Sequence, residues 1–319
     1  FFFKQKTAYE IRNCDWSSEV CSSDLIFMGW FVHHVNVQAF DVQESAKFYR
    51  DVIGLKEGVR TYPETVGYMS SGPDRIAAFG RENRGIHVVK ANPSFPTQNK
   101  LFHNPTIGGH FAITVPDLNV IKARLESAGH IVSDAGVYAM AGMRQIYVFD
   151  PCQRVMEFNQ AIDPSAGRSP REEEAHDLEM QEGGWTLHHV NLPAHNVPET
   201  VAYLRDLIGL EESTWIPANS SSIADFIVDP EMLAVFGEDN RGIHVVKPTP
   251  DFAAKNGFYH NPTIGGHFAV TVPDLEIVKS RLAAAHVQFT DAGSYAMAGM
   301  AQVYAYDPSM NLVEINQVI

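Results

Sequence analysis

The ten residues HNPTIGGHFA, at positions 103–112, occur a second time, letter for letter, at positions 260–269. Both copies continue into a strand-like tail, ITVPDL in the first and VTVPDL in the second. The stretches that precede them, RTYPETVGYMSSGPDRI and STWIPANSSSIADFIVDPEML, have no clear counterpart letters in each other. A block that is kept while its surroundings change indicates that both halves of the chain use it for the same purpose.

Further matches extend this block into an internal repeat with an offset of about 156 positions. The matching pairs are FVHHVNV with TLHHVNL, FGRENRGIHVVK with FGEDNRGIHVVK, DAGVYAMAGMRQIYVFDP with DAGSYAMAGMAQVYAYDP, and MEFNQ with VEINQ. We therefore predict two domains, residues 29–162 and 185–319. The polar, acidic stretch 163–184, bounded by Pro and Gly, is predicted to link them.

The first 28 residues stand apart from this repeat. The string FFFKQKTAYEIRNCDWSSEVCSSDL has no counterpart in the second half, and its apolar run is too short for a secretory signal. It resembles a translated sequencing-adapter read-through. We expect residues 1–28 to form a non-native, disordered tail outside the folded domains.

Composition bounds the function. The formal net charge is −14, whereas nucleic-acid binding needs a basic surface, so we expect no nucleic-acid partner. No apolar run approaches the roughly 20 residues of a membrane span, so we expect no membrane partner. Two of the three cysteines lie in the first 28 residues, and the remaining thiol, Cys152, cannot form an internal disulfide, which favours the cytoplasm. The expected partner is a small-molecule substrate, and homo-oligomer formation stays open.

Each half is predicted to contain a strand, a helix and further strands, twice over. The pair Asp41 and Glu44 is typical of a helix start, and Gly54 of a helix end. Asn196 and Glu199 repeat this start in the second half. Alternating apolar and polar residues in VHHVNV, HFAITV and RVMEFN indicate strands.

Strand alternation then sorts the polar residues, because successive side chains point to opposite faces. Each of these three strands has an apolar face, and the opposite face presents one His, one His and one Glu. Two His and one carboxylate form the facial triad that holds a divalent metal. The predicted metal ligands are His34, His110, Glu157, His189, His267 and Glu314. By the same alternation His33 and His188 fall on the apolar face, where we interpret them as packed or hydrogen-bonded core histidines.

From residue 29 onward the chain resembles two tandem domains of the vicinal oxygen chelate superfamily, which includes glyoxalase I, extradiol dioxygenases and bleomycin-resistance proteins. The motifs that carry the resemblance are HHVNV with the following helix FYRDVIGL, GGHFAITVPDL, and YVFDPCQRVMEFNQ. The resemblance implies an α+β fold. In it each domain has two βαβββ modules that form a curved, cup-like mixed sheet with helices on its outer face. It also implies the same metal ligands as the alternation argument.

Departures from the family pattern separate its branches. Glyoxalase I usually adds a Glu ligand from the strand corresponding to RIAAFG, where this chain has no carboxylate. Three protein ligands with open positions resemble the extradiol dioxygenases instead, which implies Fe(II) and a catecholic substrate that chelates through vicinal oxygens. Two alternatives stay open: a redox-neutral glyoxalase-type lyase or isomerase using Zn, Ni, Mn or Co, and a metal-free binding protein like the bleomycin-resistance group. Two intact triads speak against the latter.

The resemblance further implies two pairs of tyrosines at the site. Tyr147 and Tyr304 fall where extradiol dioxygenases have an active-site Tyr. Tyr138 and Tyr295 stand where those enzymes usually have an acid/base His, and we interpret them as substrate-contacting residues.

Two other pairs are candidates for catalysis or binding. His103 and His260, on the repeated loop, are candidates to replace the missing acid/base His, with hydrogen bonds that fix the loop as the alternative role. Arg84 and Arg241 are candidates to hold a substrate carboxylate, with a surface or ion-pairing role as the alternative.

Overall fold

The computed structural model describes residues 30–58, 72–80, 84–137, 143–162, 185–216, 229–238, 240–294, 297 and 299–319. The predicted tail 1–28 and linker 163–184 lie outside the described residues, and so do Tyr138 and Tyr295.

The first domain follows the predicted order of strand, helix and strands, twice over. Its elements are β1 (Phe31–Ala39), α1 (Val42–Lys47, continued as a π-helix over Phe48–Ile53), β2 (Ile76–Phe79), β3 (Gly85–Lys90), α2 (Phe95–Asn99), β4 (His110–Thr114), α3 (Leu118–Ser127), β5 (Ser133–Gly136), β6 (Met143–Phe149) and β7 (Val155–Ala161).

The second domain repeats this order and has one additional short strand. Its elements are β8 (Thr186–Pro193), α4 (Val197–Ala202, continued as a π-helix over Tyr203–Ile208), β9 (Glu212–Ser213), β10 (Leu233–Phe236), β11 (Gly242–Val246), α5 (Phe252–Asn256), β12 (His267–Thr271), α6 (Leu275–Ala284), β13 (Phe289–Gly293), β14 (Met300–Tyr306) and β15 (Leu312–Val318).

Each domain forms one mixed sheet. In the described residues, the first sheet has seven strands in the order β2-β3-β1-β4-β7-β6-β5, and the second has eight in the order β9-β10-β11-β8-β12-β15-β14-β13. β1 pairs parallel with β3 and antiparallel with β4, which pairs parallel with β7. The predicted α+β class and tandem arrangement are confirmed.

The predicted helix boundaries correspond to real caps. Asp41 accepts a hydrogen bond from the backbone nitrogen of Glu44 at 3.0 Å, which satisfies a donor at the start of α1. Gly54 ends the helix at φ +91°, a left-handed conformation that glycine adopts without steric cost. α1 buries Val42 and Ala46 against the apolar face of the sheet, so the opposite face is left for polar side chains.

The two domains share one apolar core. Their buried apolar side chains form a continuous cluster. Across the domain boundary, Trp185 packs over Gly85, and Trp30 packs over Gly242 in the same way. A Cβ atom at either glycine would lie about 3 Å from the indole ring, so glycine lets the ring approach this closely. The domains therefore form a tight pseudo-symmetric pair.

Among the described residues, no helix combines the length and the apolar character needed to cross a membrane.

Candidate metal centres

The three predicted ligands of the first domain lie on neighbouring central strands. His34 is on β1, His110 on β4 and Glu157 on β7, and these strands are adjacent in the sheet. All three side chains are at most 3% exposed. Each candidate centre is therefore built within one domain.

The ligand atoms of the first centre form a small triangle. The Nε2 atoms of His34 and His110 are 3.4 Å apart, and Oε2 of Glu157 lies 3.7 Å from the first and 3.3 Å from the second. The equidistant point in the plane of these atoms lies about 2.0 Å from each, close to the length of a metal–nitrogen or metal–oxygen bond.

The second centre has the same geometry. Nε2 of His189 and Nε2 of His267 are 3.3 Å apart, and Oε2 of Glu314 lies 3.6 Å and 3.4 Å from them. Among the described residues, each cluster of potential ligands holds these three residues and no fourth. Both triads fit a divalent metal.

The repeated loop fixes the second His of each triad. Nδ1 of His110 lies 2.8 Å from the carbonyl oxygen of Pro105, and Nδ1 of His267 lies 3.0 Å from that of Pro262. A carbonyl only accepts, so Nδ1 carries the hydrogen and Nε2 presents its lone pair to the metal. The loop explains why the block HNPTIGGHFA is repeated intact.

The double glycine of this loop is also explained by geometry. At Gly109 the backbone has φ +73°, and a side chain there would lie 2.6 Å from the carbonyl oxygen of Asn36 on β1. Glycine lets the loop approach the ligand-bearing strand this closely.

His33 and His188 do not occupy the position predicted for them. The register skips His33 between Val32 and His34, so β1 has a bulge there, and β8 has the same bulge at His188. Strict alternation fails at a bulge, and Nδ1 of His33 lies 2.9 Å from Nδ1 of His34. The face prediction was wrong, whereas the prediction of a buried, hydrogen-bonded His is confirmed.

This contact belongs to the metal centre. With Nε2 of His34 presented to a metal, its Nδ1 carries the hydrogen and donates to Nδ1 of His33. The second domain repeats the distance of 2.9 Å between His188 and His189. Burial lowers the pKa of His188 and His189 well below the ordinary value, so both are neutral at pH 7, as metal ligation requires.

Two amide side chains hold the carboxylate ligand. Gln145 and Asn159 each donate to Oε1 of Glu157, at 2.9 Å and 3.1 Å, and leave Oε2 facing the two histidines. Gln302 and Asn316 do the same for Glu314, at 3.0 Å and 2.9 Å. These amides were not predicted from the sequence, although the Gln and Asn recur at the same places in both halves.

The electrostatics agree with an ionised ligand. Burial by itself would raise the pKa of Glu314, but the neighbouring His267 and the amides of Gln302 and Asn316 outweigh it and lower the pKa to about 2. Burial would likewise raise the pKa of Glu157, but the neighbouring His34 and His110 outweigh it and hold the pKa well below the usual value.

A further buried His beside each triad was also missed. The ring of His87 on β3 packs against that of His34 at a tilt of 32°, with centroids 4.2 Å apart, and His244 on β11 stacks on His189 at 4.0 Å. In the parallel pair β1–β3, His87 lies opposite Asn36, which is two residues after the ligand His34. In the parallel pair β4–β7, Glu157 lies opposite Ala112, which is two residues after the ligand His110. His87 therefore occupies the position on β3 that corresponds to Glu157 on β7.

The second triad opens into a pocket. Its lining includes the three ligands, Asn191, His244 and Tyr304. The buried Oδ1 atoms of Asn191 and of Asn36 in the first domain accept no hydrogen bond from any described residue. A bound molecule with a hydroxyl group would satisfy them.

The predicted tyrosines lie beside the triads. The ring of Tyr147 meets that of His110 edge-on at 5.9 Å, and Tyr304 meets His267 at 5.7 Å. The nitrogen of Gln145 is 3.5 Å from the hydroxyl oxygen of Tyr147. Both tyrosines are therefore next to a ligand and to the amide that orients the carboxylate.

His103 and His260 form the hydrogen bonds expected for the loop-fixing alternative. Nδ1 of His103 is 2.8 Å from the hydroxyl of Ser133, and Nδ1 of His260 is 2.8 Å from that of Thr290. Both rings are buried, and His260 is outside the lining of the pocket described above. A catalytic role for them stays a prediction.

The two arginines lie near the first residues of β1 and β8. The Arg84 guanidinium lies 4.3 Å from the centroid of the Phe31 ring. Arg241 donates to the Thr186 hydroxyl at 3.1 Å and to the Leu187 carbonyl at 3.3 Å. These contacts hold the two guanidinium groups against β1 and β8, and a role in binding substrate stays a prediction.

Comparison with known proteins agrees with this architecture. The family model described as Glyoxalase/Bleomycin resistance protein/Dioxygenase superfamily matches residues 31–158 and 186–315. A comparison with curated protein sequences finds no match.

Solved structures share the fold at low sequence identity. A Mn(II)-bound glyoxalase from Novosphingobium aromaticivorans matches with a TM-score of 0.53 and 15% identity, over 91% of this chain and 82% of that one. The 2,3-dioxygenase LapB from Pseudomonas sp. KL28 matches with 0.57 and 16%, over 91% and 93%. A variant of homoprotocatechuate 2,3-dioxygenase from B. fuscum, in complex with HPCA, matches with 0.57 and 14%, over 91% and 71%.

Proposed function

We propose that this chain, which belongs to the Glyoxalase/Bleomycin resistance protein/Dioxygenase superfamily, is an Fe(II)-dependent, extradiol-type dioxygenase. Its substrate would chelate the metal through two vicinal oxygens, as a catechol does. The observation that supports this most is the pair of open triads, in which three protein atoms face a point about 2.0 Å away from each. Three protein ligands leave room for a bidentate substrate and O2 together.

The residues of each centre prepare it before substrate arrives. The Pro105 carbonyl and His33 fix the tautomers of His110 and His34, so both Nε2 lone pairs face the metal position. The two amide donors on Oε1 of Glu157 restrict the carboxylate to one ligand atom. Bound Fe(II) would lower the pKa of the substrate hydroxyls and couple electron transfer to oxygen.

Residues next to the ligands would bind the substrate. Asn191 Oδ1, buried without a described partner, is positioned to accept a hydrogen bond from a substrate hydroxyl in the second site. Tyr304 lines the same pocket and can donate a hydrogen bond to a substrate oxygen on which charge develops. Asn36 and Tyr147 are the corresponding residues of the first site.

The second candidate is a redox-neutral, glyoxalase-type lyase or isomerase with Zn, Ni, Mn or Co. His87 and His244 favour it, because each ring packs directly against a ligand His and occupies the position related to the carboxylate ligand. A rotation of that ring would be needed to bring its nitrogen to the metal, as a third nitrogen and a fourth ligand. The similar structures include a glyoxalase as well as dioxygenases, so both activities occur on this fold.

Oxygen dependence separates the two candidates. We would purify the protein anaerobically, determine its metal content, load it with Fe(II), and follow catechol turnover with and without O2. The dioxygenase proposal expects ring cleavage with one O2 consumed per catechol. Turnover that is independent of O2 and fastest with Zn, Ni or Mn would overturn it in favour of the glyoxalase type.

A further inference from the structure

The second domain has an apolar cluster on the same side of the sheet as its metal centre. Trp215, Leu233, Phe252 and Met297 belong to a buried cluster that is separate from the shared core. The same four side chains line the pocket that contains His189, His267 and Glu314. One end of this pocket is therefore polar and metal-binding, and the rest is apolar.

An aromatic wall joins the two ends. Trp215 meets the ring of His244 edge-on at 5.0 Å, and His244 stacks on the ligand His189 at 4.0 Å. A planar ring that chelates at the triad would lie beside this wall.

A single residue holds the wall in place. The Asn240 side chain accepts a hydrogen bond from the backbone nitrogen of Ile216 at 2.8 Å and donates one to the Ile216 carbonyl at 2.7 Å. The backbone carbonyl of Asn240 accepts a hydrogen bond from Nε2 of His244 at 2.7 Å. Both the loop that carries Trp215 and the His244 ring are thereby fixed to the start of β11.

The described lining of this pocket contains no Lys and no Arg. The guanidinium of Arg241 is committed to Thr186 and Leu187. The segment 217–228, which follows the Trp215 loop in sequence, also has no Lys or Arg. Among the described residues, the second site therefore offers a substrate carboxylate no Lys or Arg partner, and the net charge of the chain is −14.

We infer that the second site takes an uncharged aromatic compound with vicinal hydroxyls and an apolar substituent, and discriminates against the same compound carrying a carboxylate. This rests on the proposed function, because chelation by the hydroxyls determines which part of the molecule contacts the apolar cluster. An ionised carboxylate beside Leu233 and Phe252 would lose its hydration without a compensating ion pair.

The test compares two catechols of similar size, 4-methylcatechol and 3,4-dihydroxybenzoate. Glu157→Ala removes a ligand of the first triad, so its metal-loaded form reports on the second site. Each compound is titrated anaerobically into this variant with Co(II) or Fe(II) bound, and binding is followed by the metal–ligand absorption. We expect 4-methylcatechol to bind at least about tenfold more tightly, a difference of about 1.4 kcal/mol.

A positive charge placed in the apolar cluster should cancel this preference. In the same background, Leu233→Arg should raise the affinity for 3,4-dihydroxybenzoate relative to 4-methylcatechol by at least about tenfold. The matched control is Ile76→Arg, at the corresponding position on β2 of the first domain, which should leave the ratio unchanged.

The outcomes separate this inference from the proposed function. If 3,4-dihydroxybenzoate binds as tightly as 4-methylcatechol or more tightly, in Glu157→Ala protein and in the wild-type chain, the inference is overturned even if the enzyme consumes O2. Preferential binding of 4-methylcatechol without O2 consumption supports the inference and counts against dioxygenase activity. If the metal-loaded protein binds neither compound, both are overturned.

Discussion

The side-chain nitrogen of Gln145 lies 2.9 Å from Oε1 of Glu157, on the neighbouring strand, and the pair is fully buried. Asn159 donates to the same oxygen and is itself held by the hydroxyl of Thr114 at 2.6 Å. A carboxylate with one oxygen occupied by two donors offers only the other oxygen to a metal. The centre therefore depends on amides that would not touch the metal.

Replacing this donor should weaken one centre without removing a ligand. Gln145→Leu should lower metal affinity in the first domain about 10–100-fold, as loss of a partner of a metal ligand typically does. Competition titration with a chelator should then resolve one weak and one normal site. Gln302→Leu is the matched control, with the weak site in the second domain. Two sites of unchanged affinity in both variants would contradict this role.

Metal stoichiometry follows from the two complete triads. We expect two divalent ions per wild-type chain, one after Glu157→Ala or Glu314→Ala, and none after both changes, since loss of the carboxylate leaves two neutral histidines. Metal analysis of protein loaded and desalted without oxygen measures this. A wild-type chain that holds a single ion would mean that one triad does not bind.

Substitutions should show that His34 is a metal ligand and that His33 is its hydrogen-bond partner. His34→Ala removes a ligand and should abolish metal binding in the first domain. His33→Ala removes the group that accepts from Nδ1 of His34, so metal should still bind, about 10–100-fold more weakly. His188→Ala should repeat this in the second domain. If His33→Ala affected stability alone and not affinity, the hydrogen bond would have no role in the centre.

Stability should fall in mild acid because of the loop histidines. Burial lowers the pKa of His103 to about 4 and also lowers that of His260. The unfolded chain takes up these protons below about pH 6.5, whereas folded His103 takes up its proton only near pH 4. The free energy of unfolding should therefore decrease as pH falls from about 6.5 to about 4. Metal-free His103→Gln/His260→Gln protein should lose less stability over this range, as measured by urea unfolding.

Much of this centre was predictable from the sequence. Alternation in three short strands placed His34, His110 and Glu157 on one face, and the internal repeat supplied an independent second copy. These signals are local, because the face of a strand follows from its period of two. The helix caps at Asp41 and Asn196 are local as well, and both are confirmed.

The remainder depends on register, which a single sequence does not contain. The bulge at His33 is a mismatch between β1 and β4, and only strand pairing reveals it. His87 joins the site because β3 pairs with β1, although it lies 53 positions from His34 in the chain. Gln145 was overlooked because a buried amide has no sequence pattern of its own, apart from its recurrence as Gln302.

Two buried tyrosines, each near an aspartate of the other domain, provide a stability test at the domain boundary. The Tyr49 hydroxyl donates to Asp307 of the other domain at 2.9 Å. Burial and the neighbouring Asp307 raise the pKa of Tyr49, so the phenol keeps its proton. In the second domain Tyr203, which stands at the position of Phe48, faces Asp150, whose Oδ2 is occupied by the Arg154 guanidinium at 2.6 Å. Among the described residues, the buried Tyr203 hydroxyl has no hydrogen-bond partner.

The same substitution should therefore have different effects at the two tyrosines. Tyr49→Phe removes a buried hydrogen bond to a charged acceptor and should lower the free energy of unfolding by about 1.5–3 kcal/mol. Tyr203→Phe removes a hydroxyl without a partner and should change it by less than about 0.5 kcal/mol, or raise it slightly. Urea unfolding of metal-free protein measures both. Equal losses would mean that packing, and not the Tyr49–Asp307 bond, stabilises this boundary.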